Sequence, residues 1–246
     1  MLKDKVMLIT GASRGIGRAT ALLAAENHAL VIVNYNNSEG AASELIDSIV
    51  SKGYNATMIK ADVSKEEEVK KMFKQIKTDF GHLDVLVNNA GIMKGSLLLM
   101  TKTEDANDMI DINCKGTYFC LQQAAKMMMR QMKGKIINVS SIMGVQGCIG
   151  YVAYSSTKSF VIGLTKSSAK ELGKYGITVN AVAPGFIDTD LTAGFKPEIR
   201  DQVISSIPLG KMGSPEDVAK VVVMLSSSYS DYINGQIIGV DGGQVM

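Results

Sequence analysis

The chain has few of the residues that usually hold metal ions. It contains three cysteines and two histidines in 246 residues, and it has no tryptophan. His28 and His82 lie far apart in the sequence, and the cysteines follow no zinc-binding or disulfide spacing. The sequence therefore predicts no metal site and reduced thiols, which are typical of a cytoplasmic protein.

Long hydrophobic runs and a strong charge bias are also lacking. No segment has the roughly 20 uncharged apolar residues that a membrane helix requires. The first residues, MLKDKVMLITGAS, lack the apolar core of a secretion signal. The formal net charge is +2, with both signs interspersed, which disfavours a nucleic-acid-binding surface. We therefore expect a cytoplasmic protein that binds neither membranes nor nucleic acid.

What the chain does have is a regular alternation of short β-branched runs and longer segments of helical period. This alternation is typical of βα units around a parallel sheet that is covered by helices on both faces. The predicted strands cover residues 6–10, 29–34, 56–61, 83–89, 134–140, 177–182 and 235–240. The sequence thus predicts an α/β fold: a single Rossmann-type, doubly wound domain over residues 1–246, with a seven-stranded parallel sheet.

One region interrupts the alternation. No strand is predicted between the sixth strand and a helix at 215–225. A loop of roughly thirty residues in a compact domain is usually functional. We therefore predict a substrate lid over about 190–212, with a helix at about 197–206.

The first predicted strand is followed directly by the glycine-rich stretch TGASRGIG, which contains Gly11, Gly15 and Gly17. A strand, a glycine turn and a helix N-terminus together form a phosphate site, because free backbone N–H groups and the positive end of the helix dipole converge there. The alternative is that these glycines only permit close packing of the helix on the sheet. The position at the first βα junction favours a dinucleotide.

The end of the second predicted strand indicates which dinucleotide is bound. An acidic residue there would bind the adenosine ribose of NAD and repel the 2′-phosphate of NADP. The segment is NYNNSEG, in which Tyr35 and Asn36 are uncharged. Arg14, in the glycine turn, is a cation that can pair with a phosphate. We therefore favour NADP over NAD.

Tyr154 and Lys158 stand four residues apart in YVAYSSTKSF. On a helix this spacing places both side chains on one face, and a phenol beside an ammonium makes a proton donor. The pair by itself is uninformative, because chance alone produces such pairs.

Four motifs occur in order: TGASRGIG, NNAG (88–91), YSSTK (154–158) and APGFIDT (183–189). With them the chain resembles the short-chain dehydrogenase/reductase family over essentially its whole length. Within that family it is most similar to the 3-oxoacyl-(acyl-carrier-protein) reductases, through LLLMTKTED, IPLGKMGSPEDVA and INGQIIGVDGG. The resemblance implies NADPH-dependent reduction of a 3-oxoacyl thioester to the 3-hydroxyacyl thioester in fatty acid synthesis, by a homotetramer.

The resemblance also implies catalytic roles for four residues. Tyr154 matches the general acid, and Lys158 matches the residue that lowers the tyrosine pKa and holds the nicotinamide ribose. Ser141, rather than its neighbour Ser140, matches the serine that hydrogen-bonds the substrate oxygen. Asn113 matches the asparagine that keeps a helix kinked and holds a water in a proton relay.

A larger set of residues is implied to bind the cofactor. Asp62 and Val63 match the pair that contacts adenine, and the APGFIDT loop matches the segment that holds the carboxamide and the pyrophosphate. The full set is Gly11, Ser13, Arg14, Gly15, Ile16, Gly17, Tyr35, Asn36, Asp62, Val63, Asn89, Ala90, Gly91, Tyr154, Lys158, Pro184, Gly185, Ile187 and Thr189. Cys148 and Ile149 would face the substrate.

The resemblance leaves the substrate open. An acidic acyl carrier protein would require a basic docking surface near the site mouth, for which the candidates are Arg130, Lys133, Lys170 and Lys174. The loop NAGIMKGSLL differs at 93–96 from the loop typical of such reductases. The alternatives are therefore a reductase or dehydrogenase for another ketone and alcohol pair, such as a hydroxysteroid, a polyol or a small diketone, and a non-catalytic nucleotide-binding module.

Overall fold

The computed structural model describes residues 1–245. Its strands are β1 (Val6–Ile9), β2 (Leu30–Tyr35), β3 (Ala56–Lys60), β4 (Val85–Asn88), β5 (Gly134–Val139), β6 (Ile177–Pro184) and β7 (Ile237–Val240). They form one sheet in the order β3-β2-β1-β4-β5-β6-β7, and every pairing is parallel. The predicted doubly wound α/β fold is confirmed.

Ten α-helices are found within residues 1–245. They are α1 (Gly15–Glu26), α2 (Glu39–Val50), α3 (Glu66–Phe80), α4 (Thr103–Met109), α5 (Thr117–Gln131), α6 (Ile142–Gln146), α7 (Val152–Leu172), α8 (Asp190–Ala193), α9 (Pro197–Ser205) and α10 (Pro215–Ser226). Within this part of the chain, no helix has the length and apolar character needed to cross a membrane.

Two hydrophobic cores lie on opposite faces of the sheet. Residues of α1, α2 and α10 pack in one core, and residues of α3, α5 and α7 pack in the other. Alternate residues of β1 enter the two cores. Met7 and Ile9 pack in the core with α1, α2 and α10, and Val6 and Leu8 pack in the core with α3, α5 and α7. Because both faces are covered, the strands are apolar almost throughout, as the sequence indicated.

The strand order reverses between β1 and β4, since β2 lies on one side of β1 and β4 on the other. In a parallel sheet of this kind, the crevice at the carboxyl ends of the strands beside the reversal is where ligands bind. The predicted lid region follows β6 and contains α8 and α9, and an isolated bridge between Ile187 and Gly213 joins its two ends. The fold thus places the lid above the crevice.

Three strand boundaries differ from the prediction by two residues, and several others differ by one. The fourth strand begins at Val85 rather than at 83. The last strand begins at Ile237 rather than at 235, because Gly235 adopts a left-handed conformation with φ of 74°. The sixth strand continues to Pro184, two residues beyond the predicted end. This extension carries the chain directly into the segment at 185–189 that precedes the lid.

Candidate active site

A cleft of about 1350 Å³ opens at the carboxyl ends of the strands. It is lined by every predicted site residue except Gly17 and Asn113, which lie behind its wall. The structure therefore brings together motifs that are far apart in the sequence. Within residues 1–245, no group of three or more histidine, cysteine or acidic side chains could hold a metal ion.

The glycine turn after β1 has the geometry of a phosphate cradle. Gly11 and Gly15 have φ of 59° and 54°, a region that disfavours other residues. A Cβ at Gly11 would lie 2.8 Å from the Cα of Ala90, and a Cβ at Gly17 would lie 2.5 Å from the side-chain nitrogen Nδ2 of Asn89. The first turn of α1 contains no acidic residue, so its positive end is open to an anion. The glycines serve close packing, and the arrangement also fits a pyrophosphate.

Two residues that the sequence analysis did not select hold this turn in place. Asn34 is 1% exposed, and its Oδ1 accepts from the Gly11 N–H at 3.2 Å while its Nδ2 donates to the Ala61 carbonyl at 3.0 Å. The Thr10 hydroxyl oxygen accepts from the backbone N–H of Asn89 at 3.0 Å. The only feature of the sequence that could have indicated these two residues is that each is a polar residue at the end of an apolar strand.

The end of β2 bounds the part of the cleft predicted to hold adenosine. Tyr35 and Asn36 line it, and the exposed Arg14 guanidinium lies 3.7 Å from the Asp190 carboxylate at the start of α8. Burial, and then the neighbouring Glu39 carboxylate, raise the pKa of Tyr35. Arg14 therefore places an exposed cation on the cleft wall, beside the Asp190 carboxylate.

Ser141, Tyr154 and Lys158 come together in the buried end of the cleft, where they are 8%, 8% and 5% exposed. The ammonium of Lys158 lies 5.7 Å from the centroid of the Tyr154 ring and donates to the Val139 carbonyl at 2.9 Å. Ser141 precedes α6, where its hydroxyl oxygen accepts from the Met143 N–H at 3.1 Å. Two hydroxyls and one ammonium thus face one small volume.

The neighbouring Ser140 has a different environment. Its hydroxyl donates to the backbone carbonyl of Lys158 at 2.9 Å, and the residue is 2% exposed. This bond ties the end of β5 to α7. The Ser141 hydroxyl makes no such bond to the backbone of α7 and instead faces the Tyr154 hydroxyl in the cleft, so it is the serine hydroxyl available to a ligand.

The pKa of Tyr154 lies above its ordinary value, while the expected lowering by Lys158 stays a prediction. Burial raises the pKa of Tyr154 to about 12, and the Ser141 hydroxyl only partly opposes this. Burial also lowers the pKa of Lys158 to about 8. Loss of solvation is the largest cause of both shifts, and the ammonium is hydrogen-bonded to the Val139 carbonyl. Tyr154 therefore stays protonated at neutral pH, and Lys158 is the group that titrates near pH 8.

For the ketone reduction that the family resemblance implies, these pKa values predict a pH dependence. The ammonium form of Lys158 is lost as pH rises through about 8, while Tyr154 remains a proton donor. We expect kcat/KM for the reduced cofactor, measured at saturating ketone, to be level below pH ~7.5 and to fall about tenfold per pH unit above pH ~8.5. A profile from pH 6 to 10 checks this, and a level profile up to pH 9.5 would remove the charge requirement.

Asn113 lies in a π-helical segment, Ile110–Gly116, which joins α4 to α5. Its side chain makes two hydrogen bonds with the backbone of Ile92, both at 2.9 Å, and Nδ2 also donates to the Thr157 hydroxyl at 3.0 Å. The departure from a regular α-helix agrees with the expectation for this residue. Asn113 connects the loop after β4 with the helix that carries Tyr154 and Lys158. The relay water stays a prediction.

The end of β6 and the segment after it bring four further predicted residues to the cleft: Pro184, Gly185, Ile187 and Thr189. A Cβ at Gly185 would lie 2.7 Å from the Cα of Asp241, so the chain passes close to the C-terminal segment. Thr189 directly precedes α8, and its methyl group lies 3.6 Å from the position of a Cβ at Gly15. The base of the lid therefore contacts the glycine turn.

Four basic residues were predicted to form a docking surface for a carrier protein near the mouth of the cleft. Within a single chain, this predicted position is wrong. Arg130 and Lys133 lie near the end of α5, directly before β5, and Lys170 and Lys174 lie near the end of α7, directly before β6. The parallel strands begin at this edge of the sheet and end at the cleft. All four residues are exposed, but they lie on the opposite edge from the cleft mouth.

The substrate side of the cleft has aromatic residues that sequence reasoning missed. The ring of Phe195, between α8 and α9, contacts the rings of two other aromatic residues. These are Tyr151, on the rim before α7, and Phe186, which follows β6. The predicted substrate-facing residues Cys148 and Ile149 also line the cleft and are exposed.

Comparisons with known proteins identify the family of this chain. The sequence model of the family described as Enoyl-(Acyl carrier protein) reductase matches residues 11–244. The chain is 47% identical over 246 residues to the 3-oxoacyl-(acyl-carrier-protein) reductase FabG of Staphylococcus aureus, with 100% of both chains covered. The chain belongs to the short-chain dehydrogenase/reductase family.

Other members of the short-chain dehydrogenase/reductase family are similar along their whole length. The 3-oxoacyl-(acyl-carrier-protein) reductase of Synechocystis sp. is 44% identical, with 100% of this chain and 98% of that one covered. A crystal structure of a provisional gluconate dehydrogenase from Agrobacterium tumefaciens superposes with a TM-score of 0.96 at 32% identity, covering 100% and 98% of the two chains. The chain is an oxidoreductase of this family, which implies a nicotinamide cofactor.

Proposed function

We propose that this enzyme uses NADPH to reduce a 3-oxoacyl thioester, carried on an acyl carrier protein, to the 3-hydroxyacyl thioester in fatty acid synthesis. The observation that carries this proposal is the full-length identity of 41–47% to reductases named for that reaction. The convergence of Ser141, Tyr154 and Lys158 in one buried volume supports it.

The dinucleotide would be held along the cleft by residues of the glycine turn, the end of β2, the segment after β4 and the segment after β6. Hydride transfer to the ketone carbon is the chemistry that a bound nicotinamide supplies. Lys158 would hold the nicotinamide ribose, and Asp62 and Val63 would contact adenine. The fit rests on the close-packed glycine cradle and on the free N-terminus of α1.

The residues of this chain would handle the proton and the developing charge. Tyr154, protonated because burial raises its pKa to about 12, donates its phenolic proton to the carbonyl oxygen. Ser141 donates a hydrogen bond to the same oxygen as negative charge develops. Asn113 keeps α7 and the loop after β4 in register. Two hydroxyls directed at one oxygen suit a ketone better than a carbon–carbon double bond, whose reduction requires a proton on carbon.

The choice of NADPH over NADH is assigned to Arg14. Arg14→Ala should raise KM for NADPH about tenfold, because a charge-assisted contact to the 2′-phosphate is lost, and should leave KM for NADH within about twofold. Steady-state kinetics with both cofactors measures this. Arg18→Ala is the matched control, since Arg18 is exposed on α1 and does not line the cleft. Equal losses with both cofactors would contradict the assignment.

We propose a homotetramer for the assembly. An exposed apolar face on α5, α7 and the segment before α5 includes Ile110, Tyr118, Val152 and Phe160, each 40–43% exposed. It surrounds a groove of about 430 Å³. Exposed apolar patches of this kind mark protein contacts, and sedimentation analysis measures the assembly.

The same assembly would determine where the acyl carrier protein docks. Antiparallel pairing of α5 and α7 with a second copy would bring the far ends of that copy's helices, with their exposed cations, beside the cleft mouth. An acidic carrier protein would then meet a basic surface. We place the enzyme in the cytoplasm, where the three unpaired thiols of this chain stay reduced.

A second candidate substrate is a keto sugar acid, favoured by the structural similarity to the provisional gluconate dehydrogenase. The reaction type is tested by offering NADPH with an acetoacetyl thioester and with a crotonyl thioester of the same small thiol. We expect oxidation of NADPH and formation of the 3-hydroxybutyryl thioester from the first only. Turnover of the crotonyl thioester alone would contradict ketone reduction.

A further inference from the structure

Three aromatic side chains form a wall along the substrate half of the cleft. The rings of Tyr151 and Phe195 stack with centroids 6.3 Å apart and planes 16° apart. Phe195 also meets Phe186 edge-on, at 5.5 Å and 77°. Phe186 is 7% exposed and anchors the pair. Because aromatic pairs add stability beyond area burial, the wall joins the rim before α7 to the lid.

The position of the wall relative to the reacting group follows from α7. Tyr151 directly precedes this helix as its N-cap residue, Tyr154 and Lys158 come three and seven residues later, and all three line the cleft. At a rise of about 1.5 Å per residue, Tyr151 lies ~4.5 Å farther along the axis than Tyr154. Lys158 lies beyond Tyr154 in the other direction. An alkyl chain that extends from the reacting carbon toward the start of α7 would therefore meet Tyr151.

The loop after β4 is shaped to receive the Tyr151 ring. A Cβ at Gly95 would lie 2.8 Å from Cε1 and 2.9 Å from Cζ of Tyr151. Next to it, the Ser96 N–H donates to the Gly150 carbonyl at 2.7 Å. This bond fixes the loop against the rim, so the ring occupies space that a side chain at position 95 would need.

We propose that Tyr151 is a specificity-determining residue which, with Phe195, limits the length of the alkyl chain beyond the ketone. The proposal rests on the proposed function. Apolar ring faces suit an alkyl chain, whereas the polar arm of a carrier requires a route to solvent, which the exposed rim at Cys148 and Ile149 provides. Tyr151 contacts the substrate without transferring a proton.

The test compares 3-oxoacyl thioesters of four and eight carbons on the same thiol. Tyr151→Ala and Phe195→Ala should each raise the ratio of kcat/KM for eight carbons to that for four carbons by about tenfold, since each opens the wall. Gly95→Ala should shift the ratio in the same direction by displacing the ring. Tyr151→Phe is the matched control, because it keeps the stacked ring and should keep the wild-type ratio.

Several results would overturn the proposal. One is that Tyr151→Ala and Phe195→Ala both keep activity on the four-carbon thioester and also keep the wild-type ratio of kcat/KM for eight carbons to that for four carbons. Another is a change of preference between thiol carriers at constant chain length, which would place Tyr151 beside the carrier arm. A wild-type enzyme that is inactive on the four-carbon thioester would overturn the proposed function and this inference with it. Phe195, on the half-exposed lid, supplies the result if Tyr151→Ala does not fold.

Discussion

Tyr154→Phe should lower kcat for ketone reduction about 1000-fold while leaving the dissociation constant of NADPH within about threefold. The substitution removes one oxygen from a ring that is 8% exposed, so the packing of α7 is kept. What is lost is the phenolic proton, which the raised pKa keeps in place at neutral pH. Single-turnover kinetics and fluorescence titration with NADPH separate the two quantities.

The matched control for this variant is Tyr54→Phe. Tyr54 packs edge-on against His28, with centroids 5.8 Å apart, and does not line the cleft, so loss of its hydroxyl should leave kcat unchanged. Unchanged turnover in Tyr154→Phe would instead show that Tyr154 is not the proton donor, and a wild type without turnover would favour the non-catalytic nucleotide-binding module. A weakened affinity for NADPH with normal kcat would make Tyr154 a cofactor ligand rather than the acid.

Lys158→Met should abolish activity and raise the melting temperature. Burial lowers the pKa of Lys158 to about 8, against 10.5 for the free side chain, so holding the ammonium in the folded state costs free energy at every pH below 8. As pH rises from about 8 to about 10.5, the unfolded chain binds the extra proton and this cost declines. Methionine removes the cost and fills similar volume, although the hydrogen bond to Val139 is lost.

We expect a rise in melting temperature of about 4 °C at pH 7, the shift that ~1–2 kcal/mol produces in a chain of this size, and a smaller rise at pH 10. Differential scanning calorimetry at both pH values measures it. Lys166→Met is the matched control, because Lys166 is exposed on the same helix and should change neither quantity. A lower melting temperature at pH 7 would show that the ammonium stabilises the fold.

The sheet was predictable because its strands are short apolar runs separated by segments of helical period, and because both faces are covered. Gly235 was the exception, since a left-handed glycine inside an apolar run looks like part of the strand. The glycine turn and the Tyr154–Lys158 pair were predictable because each lies within a few residues of contiguous sequence. Their meeting in one cleft follows from the order of the parallel strands.

The features that were missed depend on contacts between distant segments. Asn34 holds the glycine turn only because β2 ends beside it, and the Tyr151–Phe195 stack exists only once the lid has folded back over the rim. The pKa of Tyr154 depends on burial, which a sequence does not show. The docking cations were misplaced because helix ends and strand ends alternate between the two edges of the sheet.

The most direct test of the account is the specificity of the purified protein for a carrier-linked ketone. Acetoacetyl thioester on acyl carrier protein and a keto sugar acid would each be offered with NADPH and with NADH, and kcat/KM would be measured for all four combinations. The account predicts that the carrier thioester with NADPH exceeds every other combination by ~100-fold or more. A larger kcat/KM for the keto sugar acid would contradict it.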